Sequence, residues 1–317
     1  MNVADFATRS HSINPANAIS ARPRDAANDS FQQQHIPPRE ALAWQQPAPP
    51  VQFAPPAIAP TRVEGPTALA AVGSPEGPTT RELALLAQDV YNDIPAPPPG
   101  YRVATDTDLS SIGLRTQDLS SPQSAFRARV YVKEGDGGPQ YVVSFRGSTD
   151  GSDWKANAQQ AVGLPSDQYA KALMVAKAVG RHPNADVTIT GHSLGGGLAS
   201  AAALASGRDA ATFNAAGLSD NTIRQAEAIR AGNGGAAPDI AAFYVRGEIL
   251  SAVQDGGDRV AGAIFGGVLG GIFADAPEAY GTRIQLDAER PEGTRWYQDN
   301  PVARHGMDWV LSSLGGN

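Results

Sequence analysis

Fourteen residues, VTITGHSLGGGLAS from Val187 to Ser200, constrain the fold of this chain more than any other stretch. They open with a β-branched apolar run, turn at a serine with a glycine two positions to either side, and continue in small residues. The β-branched run suits a buried strand, and the small residues suit a helix lying close to it. A strand passing through one tight turn into a helix is the repeating unit of a sheet whose strands run parallel.

The flanking sequence extends that pattern. TTRELALLAQDVYND carries Leu83, Leu86, Ala87 and Val90 at helical spacing. YNDIPAPPPGYR then breaks it. AFRARVYV and QYVVSFRG flank KEGDGGP, which predicts a β-hairpin with a glycine-rich loop. SDQYAKALMVAKAVGRH predicts a helix with Ser166 as N-cap and with Tyr169, Leu173, Ala176 and Ala178 on a broad apolar face. After DVTITGHS come a small-residue helix, a short strand in AATFNA, a helix through NTIRQAEAIRAG and a strand in IAAFYVRG. Strands alternating with helices behind a hairpin predict an α/β domain over residues 80–317, with a central, mostly parallel sheet flanked by helices.

Residues 1–79 have a different texture. Most of the 25 prolines lie before residue 100, and stretches such as QQPAPPVQFAPPAIAP hold no sustained period. Such a segment cannot bury enough apolar surface to offset its ordering entropy, so a disordered Pro/Ala/Gln-rich leader is expected over 1–79. MNVADFATRSHSIN lacks the basic start and apolar core of an ordinary secretory signal. No run reaches the roughly 18 apolar residues of a membrane span. The chain has no cysteine, hence neither a disulfide framework nor a thiolate metal site. Its formal charge of −7 argues against nucleic acid as a main partner.

In GHSLG the serine follows a strand and precedes a helix, the setting in which a strained turn pushes a hydroxyl off the sheet. Gly191 and Gly195 leave room for neighbouring backbone, and the helix start near Leu194 aims its positive end at developing negative charge. Ser193 is therefore the candidate nucleophile, and it needs a base. Of the five histidines, His11 and His35 fall in the leader and His182 at a helix end before the strand. His192 neighbours Ser193, but adjacent side chains at such a turn point apart. His305, in PVARHGMDWVLSS, fits the chain order serine, acid, histidine. The acid should lie between them, past a later strand. Glu248 in AAFYVRGEIL is the first candidate, with Asp255 and Asp258 in QDGGD behind it. An oxyanion hole needs two fixed donors: the N–H of Leu194, and Ser148 in the loop of VVSFRGSTDGSDW.

Together these motifs resemble the class 3 (fungal-type) lipase family, a branch of the α/β-hydrolases. The likeness covers about residues 80–310. It rests on SFRGSTDGSDW with its Trp154, on GHSLGG from Gly191 to Gly196, on ATFNAAG, on GEILS, and on the late His305. GEILS places Glu248 where that family usually carries an aspartate. The resemblance implies an α/β-hydrolase fold with Ser193 as nucleophile, His305 as base, Glu248 as acid, Ser148 with Leu194 as oxyanion hole, and no metal or other cofactor. Secreted fungal members carry signal peptides and disulfides. A lipase domain behind a polar leader with neither looks more like a bacterial phospholipase effector, exported without a signal peptide, and its partners would include secretion machinery or an immunity protein.

The substrate class is read from Val260 to Ala274, an apolar and glycine stretch between the acid and the histidine, either a buried helix or an interfacial lid. Beside the mouth of the site it favours a lipid or membrane-surface substrate, with A1-type phospholipase action first. A neutral-lipid lipase or small-ester carboxylesterase is the runner-up. A catalytically inactive hydrolase fold serving as an interaction protein is the alternative from another class.

Overall fold

A computed structural model describes residues 61–62, 77–121, 124–147, 167–254 and 278–315. In chain order these form β1 (Thr61–Arg62), α1 (Thr80–Asp89), β2 (Tyr101–Val103), α2 (Asp106–Ser111), β3 (Ser120–Ser121), β4 (Phe126–Gly135), β5 (Gly138–Phe145), α3 (Asp167–Gly180) and β6 (Asp186–His192). Then follow α4 (Leu194–Ser206), β7 (Ala210–Phe213), α5 (Asp220–Asn233), β8 (Ile240–Val245), α6 (Ile249–Gln254), β9 (Thr282–Leu286), α7 (Pro301–Arg304) and α8 (Met307–Ser313). The strands make one sheet in the order β1-β9-β8-β7-β6-β5-β4-β2, with β3 paired to β4. From β5 through β1 every pairing is parallel, and β5/β4, β4/β2 and β4/β3 are antiparallel. This is the α/β arrangement that the alternation of strand and helix predicts.

The β4/β5 ladder runs to Gly135↔Gly138, so only Asp136 and Gly137 are left as the loop. That is shorter than the stretch KEGDGGP suggested: Asp136 and Gly137 turn without a positive φ, and Gly138, at φ 112°, takes the conformation that closes the hairpin. Thr61 and Arg62, inside the stretch expected to be leader, pair in parallel with Ile284 and Gln285 on β9.

The two faces of the sheet bury separate cores, as period-two alternation dictates. Val130, Val132, Tyr141 and Val143 face one core with residues of α3, α4 and α5. Tyr131, Val142, Phe213 and Phe243 face the other with Leu83 and Leu86 of α1 and Trp309 of α8. α1 starts on a capping box between Thr79 and Glu82. Its far end is fixed by Asp89, whose carboxylate accepts from the Tyr131 hydroxyl at 2.7 Å and from Arg129 at 3.2 Å. This anchorage brings the next turn, Tyr91, to the carboxyl edge of the sheet. Ser166, the expected N-cap of α3, and Trp154 lie outside the described residues, and so does the lid-or-core stretch Val260 to Ala274.

Candidate active site

The site is assembled at the carboxyl ends of β5 to β8. β6 ends at His192, and Ser193 turns the chain into α4 with φ 60° and ψ −128°. Few L-residues adopt such a backbone, and holding one there costs on the order of 1–3 kcal/mol, supported by the surroundings. The support is visible. The Ser193 N–H donates to the Phe213 carbonyl at 3.1 Å, and its own carbonyl accepts from Gly196, Gly197 and Ala216 at 2.9, 3.2 and 3.0 Å. A Cβ at Gly191 would collide with the carbonyl of Gly195. A Cβ at Gly195 would meet the Phe145 carbonyl and stand 2.7 Å from the Gly147 nitrogen. Both flanking glycines are thus required by close backbone approach.

Ser193 Oγ lies 2.9 Å from His305 Nε2, and His305 Nδ1 lies 2.7 Å from Glu248 Oε2. Three residues far apart in sequence therefore form one hydrogen-bonded relay. His305 closes α7, a single turn started by Pro301 and capped by Asn300. Glu248 is fully buried and stands before α6, whose first turn supplies N–H donors from Leu250 (3.0 Å) and Ser251. Burial alone would raise this carboxyl. The His305 imidazole and the Ser251 donors outweigh it and hold the group below the usual carboxylate range. Glutamate suits this place because it reaches forward to the first turn of α6 while still touching the imidazole.

Leu194 opens α4, where helix geometry leaves its N–H without a carbonyl of its own helix. Ser148 lies outside the described residues, as do Asp255 and Asp258. Gly147, one residue before Ser148, rests on the turn: its N–H donates to the Tyr91 hydroxyl at 3.0 Å. His182 stays at the end of α3, beside the Ala178 carbonyl at 3.0 Å, away from the relay. Among the described residues no group of three or more acidic or histidine side chains could hold a metal ion.

His192 is buried beside His305, with ring centroids 4.9 Å apart. It is not placed to act as base, because its Nε2 lies 2.7 Å from the His305 carbonyl and its Nδ1 3.2 Å from the Tyr91 hydroxyl. Asn214 was not singled out in the sequence. It follows β7 with φ 43°, a left-handed conformation that Asn tolerates better than most residues. A polar residue placed directly after a buried strand next to β6 was the available signal.

The burial of His192 has a consequence for pH. Burial and the neighbouring His305 pull its pKa from 6.5 down to about 3. Below pH 6.5 the unfolded chain binds a proton that the folded chain refuses. This contribution to stability is whole above 6.5 and is lost as pH falls toward 3. At pH 5 the loss is about 2 kcal/mol. Denaturant unfolding at pH 7 and pH 5 should show it, and His192→Gln should lack about that much of the difference. An identical difference in parent and variant would show that His192 is not buried in its neutral form.

Comparison with known proteins gives this geometry a lineage. The chain is 34% identical to the extracellular phospholipase A1 of Serratia liquefaciens over 255 residues, spanning 78% of this chain and 76% of that one. The Lip2 lipase of Yarrowia lipolytica aligns over 67% of this chain and 78% of its own at TM-score 0.36 and 13% identity, too remote to bear on any residue. Residues 82–292 match the Tle-like phospholipase domain, and the chain belongs to that family of carboxylic ester hydrolases.

Proposed function

We propose that this protein cleaves the sn-1 acyl ester of membrane glycerophospholipids through an acyl-serine. The observation that carries the reading is the unbroken relay from Ser193 through His305 to the buried Glu248, at 2.9 and 2.7 Å. Ser193 Oγ attacks the ester carbonyl carbon while His305 Nε2 takes its proton. The Glu248 carboxylate balances the imidazolium. The Leu194 N–H, with Ser148 as second donor, holds the oxyanion. Collapse breaks the bond to the glycerol oxygen, which leaves with the proton from His305 as a lysophospholipid. Water then attacks the acyl-serine, His305 takes its proton and returns it to Ser193 Oγ, and a fatty acid departs.

The sn-1 preference is supported by the likeness to a phospholipase A1. In this reading residues 80–317 are the hydrolase and 1–79 the leader, of which Thr61–Arg62 supply an edge strand. The protein acts outside the producing cell as an effector, and its partners besides lipid are secretion machinery or an immunity protein. No helix among the described residues is long and apolar enough to cross a membrane.

Liposomes of a phosphatidylcholine with different acyl chains at sn-1 and sn-2, followed by mass spectrometry, test the regiochemistry. The expected products are the sn-1 fatty acid and the lysolipid that keeps the sn-2 chain. Release of the sn-2 chain overturns the A1 assignment. Activity on triglyceride or p-nitrophenyl butyrate with none on liposomes would favour a neutral lipase or an esterase.

A further inference from the structure

His305 sits at the end of a helix of only four residues, α7. A single turn, set off from the packed α8 by Gly306, is not stable enough to fix its own position, because helix nucleation is unfavourable. The precision of the relay must therefore come from what holds the backbone of His305. Two side chains do so. His192, the last residue of β6, donates from Nε2 to the His305 carbonyl at 2.7 Å. Asn214, just past β7, donates from Nδ2 to the same carbonyl at 2.9 Å and to that of Arg304 at 3.2 Å.

Asn214 also works in the other direction. Its Oδ1 accepts from the N–H of Val245 at 2.9 Å, and Val245 ends β8 three residues before Glu248. One amide thus spans from the strand that carries the acid to the turn that carries the base. Both clamping residues are buried, Asn214 at 1% exposure and His192 at 8%, so water does not compete for their donors.

Tyr91 completes the arrangement. A neutral histidine whose Nε2 faces a carbonyl carries its proton there, which leaves Nδ1 an acceptor. The Tyr91 hydroxyl lies 3.2 Å from that Nδ1 and 3.3 Å from the His192 carbonyl. Burial pushes the Tyr91 hydroxyl up to about 12, so it stays protonated and able to donate. We propose that His192 and Asn214 are positioning residues whose two donors grip the His305 carbonyl and set its imidazole between Glu248 and Ser193, with Tyr91 holding His192 in the donating tautomer. The inference rests on the hydrolytic reading of Ser193, His305 and Glu248.

The test separates the donor from the bulk of the side chain. His192→Phe keeps a ring and loses the donor, whereas His192→Gln keeps an N–H near the Nε2 position and loses the ring. Asn214→Gly accepts the left-handed backbone and removes all three side-chain hydrogen bonds. Tyr91→Phe deletes one oxygen. Steady-state kinetics on a soluble p-nitrophenyl ester are measured beside thermal unfolding. An ångström of misplacement costs up to about a hundredfold in rate. His192→Phe and Asn214→Gly are expected to lose about that much in kcat, with KM within about threefold of the parent. His192→Gln should regain about tenfold over His192→Phe, and Tyr91→Phe should lose about fivefold. Equal kcat in the Phe and Gln variants would overturn the proposal, as would a lower unfolding temperature with kcat within about threefold of the parent. If His192→Phe does not fold, Asn214→Gly and His192→Gln against the parent decide by the same limits. Ser193→Ala is assayed alongside. Full activity there sinks the hydrolytic reading and the clamp with it, whereas an inactive Ser193→Ala beside a fully active His192→Phe sinks the clamp alone.

Discussion

Ser193→Ala is expected to reduce ester hydrolysis by about a thousandfold or more while the protein still unfolds at nearly the parent temperature. Removing the nucleophile of a comparable relay abolishes the covalent route and leaves only what binding and oxyanion donors supply. The fold should barely notice. Alanine retains the Cβ in the same left-handed turn, where Ser193 has φ 60°, so no strain is relieved and none added. Its neighbours keep their backbone hydrogen bonds to residue 193, none of which involves the hydroxyl. Hydrolysis of a p-nitrophenyl ester and labelling by a fluorophosphonate give two independent readings. A variant that still hydrolyses within a few-fold of the parent, or is still labelled at the active serine, would mean the nucleophile is elsewhere.

Glu248→Gln should be nearly as damaging, with a loss on the order of 10³- to 10⁴-fold. Both carboxylate oxygens of Glu248 accept hydrogen bonds: Oε2 from His305 and Leu250, and Oε1 from Ser251. A glutamine must turn its NH₂ toward one of these. Facing His305, it forces the imidazole into the wrong tautomer, the change that costs about 10⁴-fold in a serine protease triad. Facing Ser251, it sets a donor against a backbone N–H at a fully buried site. Asp255→Asn, made in parallel, should stay within a few-fold of the parent. If Asp255→Asn is instead the crippled variant, the carboxylate that serves His305 comes from the stretch QDGGD.

The central sheet and the relay were legible in the sequence because their signals are local. A β-branched run beside small residues marks β6 and α4. Two glycines about a serine mark the turn, since only their missing side chains let Gly195 pass both Gly191 and the end of β5. Chain order and strand-end position then pointed to Glu248 and His305, and the structure puts His305 beside Ser193 and Glu248 beside His305. What could not be read is long-range. Nothing in VYND tells that Tyr91 will meet His192, because that contact depends on how Asp89 anchors α1 to β4. Nothing in TFNAAG tells that Asn214 will bond across 91 positions to His305. Adjacent side chains at the turn were expected to diverge. In the structure the Ser193 hydroxyl meets the ring of His305 and His192 meets its backbone, so both converge on one residue from different sides. The pairing of Thr61–Arg62 has no periodic signature, since two residues are too few to show one.

The helix behind the serine bears on how the protein meets different lipids. Every residue of α4 from Gly195 to Ser206 is buried. Glycine and alanine bring it so close to its neighbours that it has no room to rock or slide without breaking the core. The Ser193 hydroxyl is thus mounted at the start of a closely packed helix, and the proposed geometry of attack would be the same for every acyl chain. In the proposed reading, adjustment to chain length, headgroup or membrane curvature has to come from parts of the chain other than α4. Chemistry and selectivity are accordingly separable here. Exchanging peripheral loops should change which lipids are taken, whereas substitutions along α4 should remove activity on all of them alike.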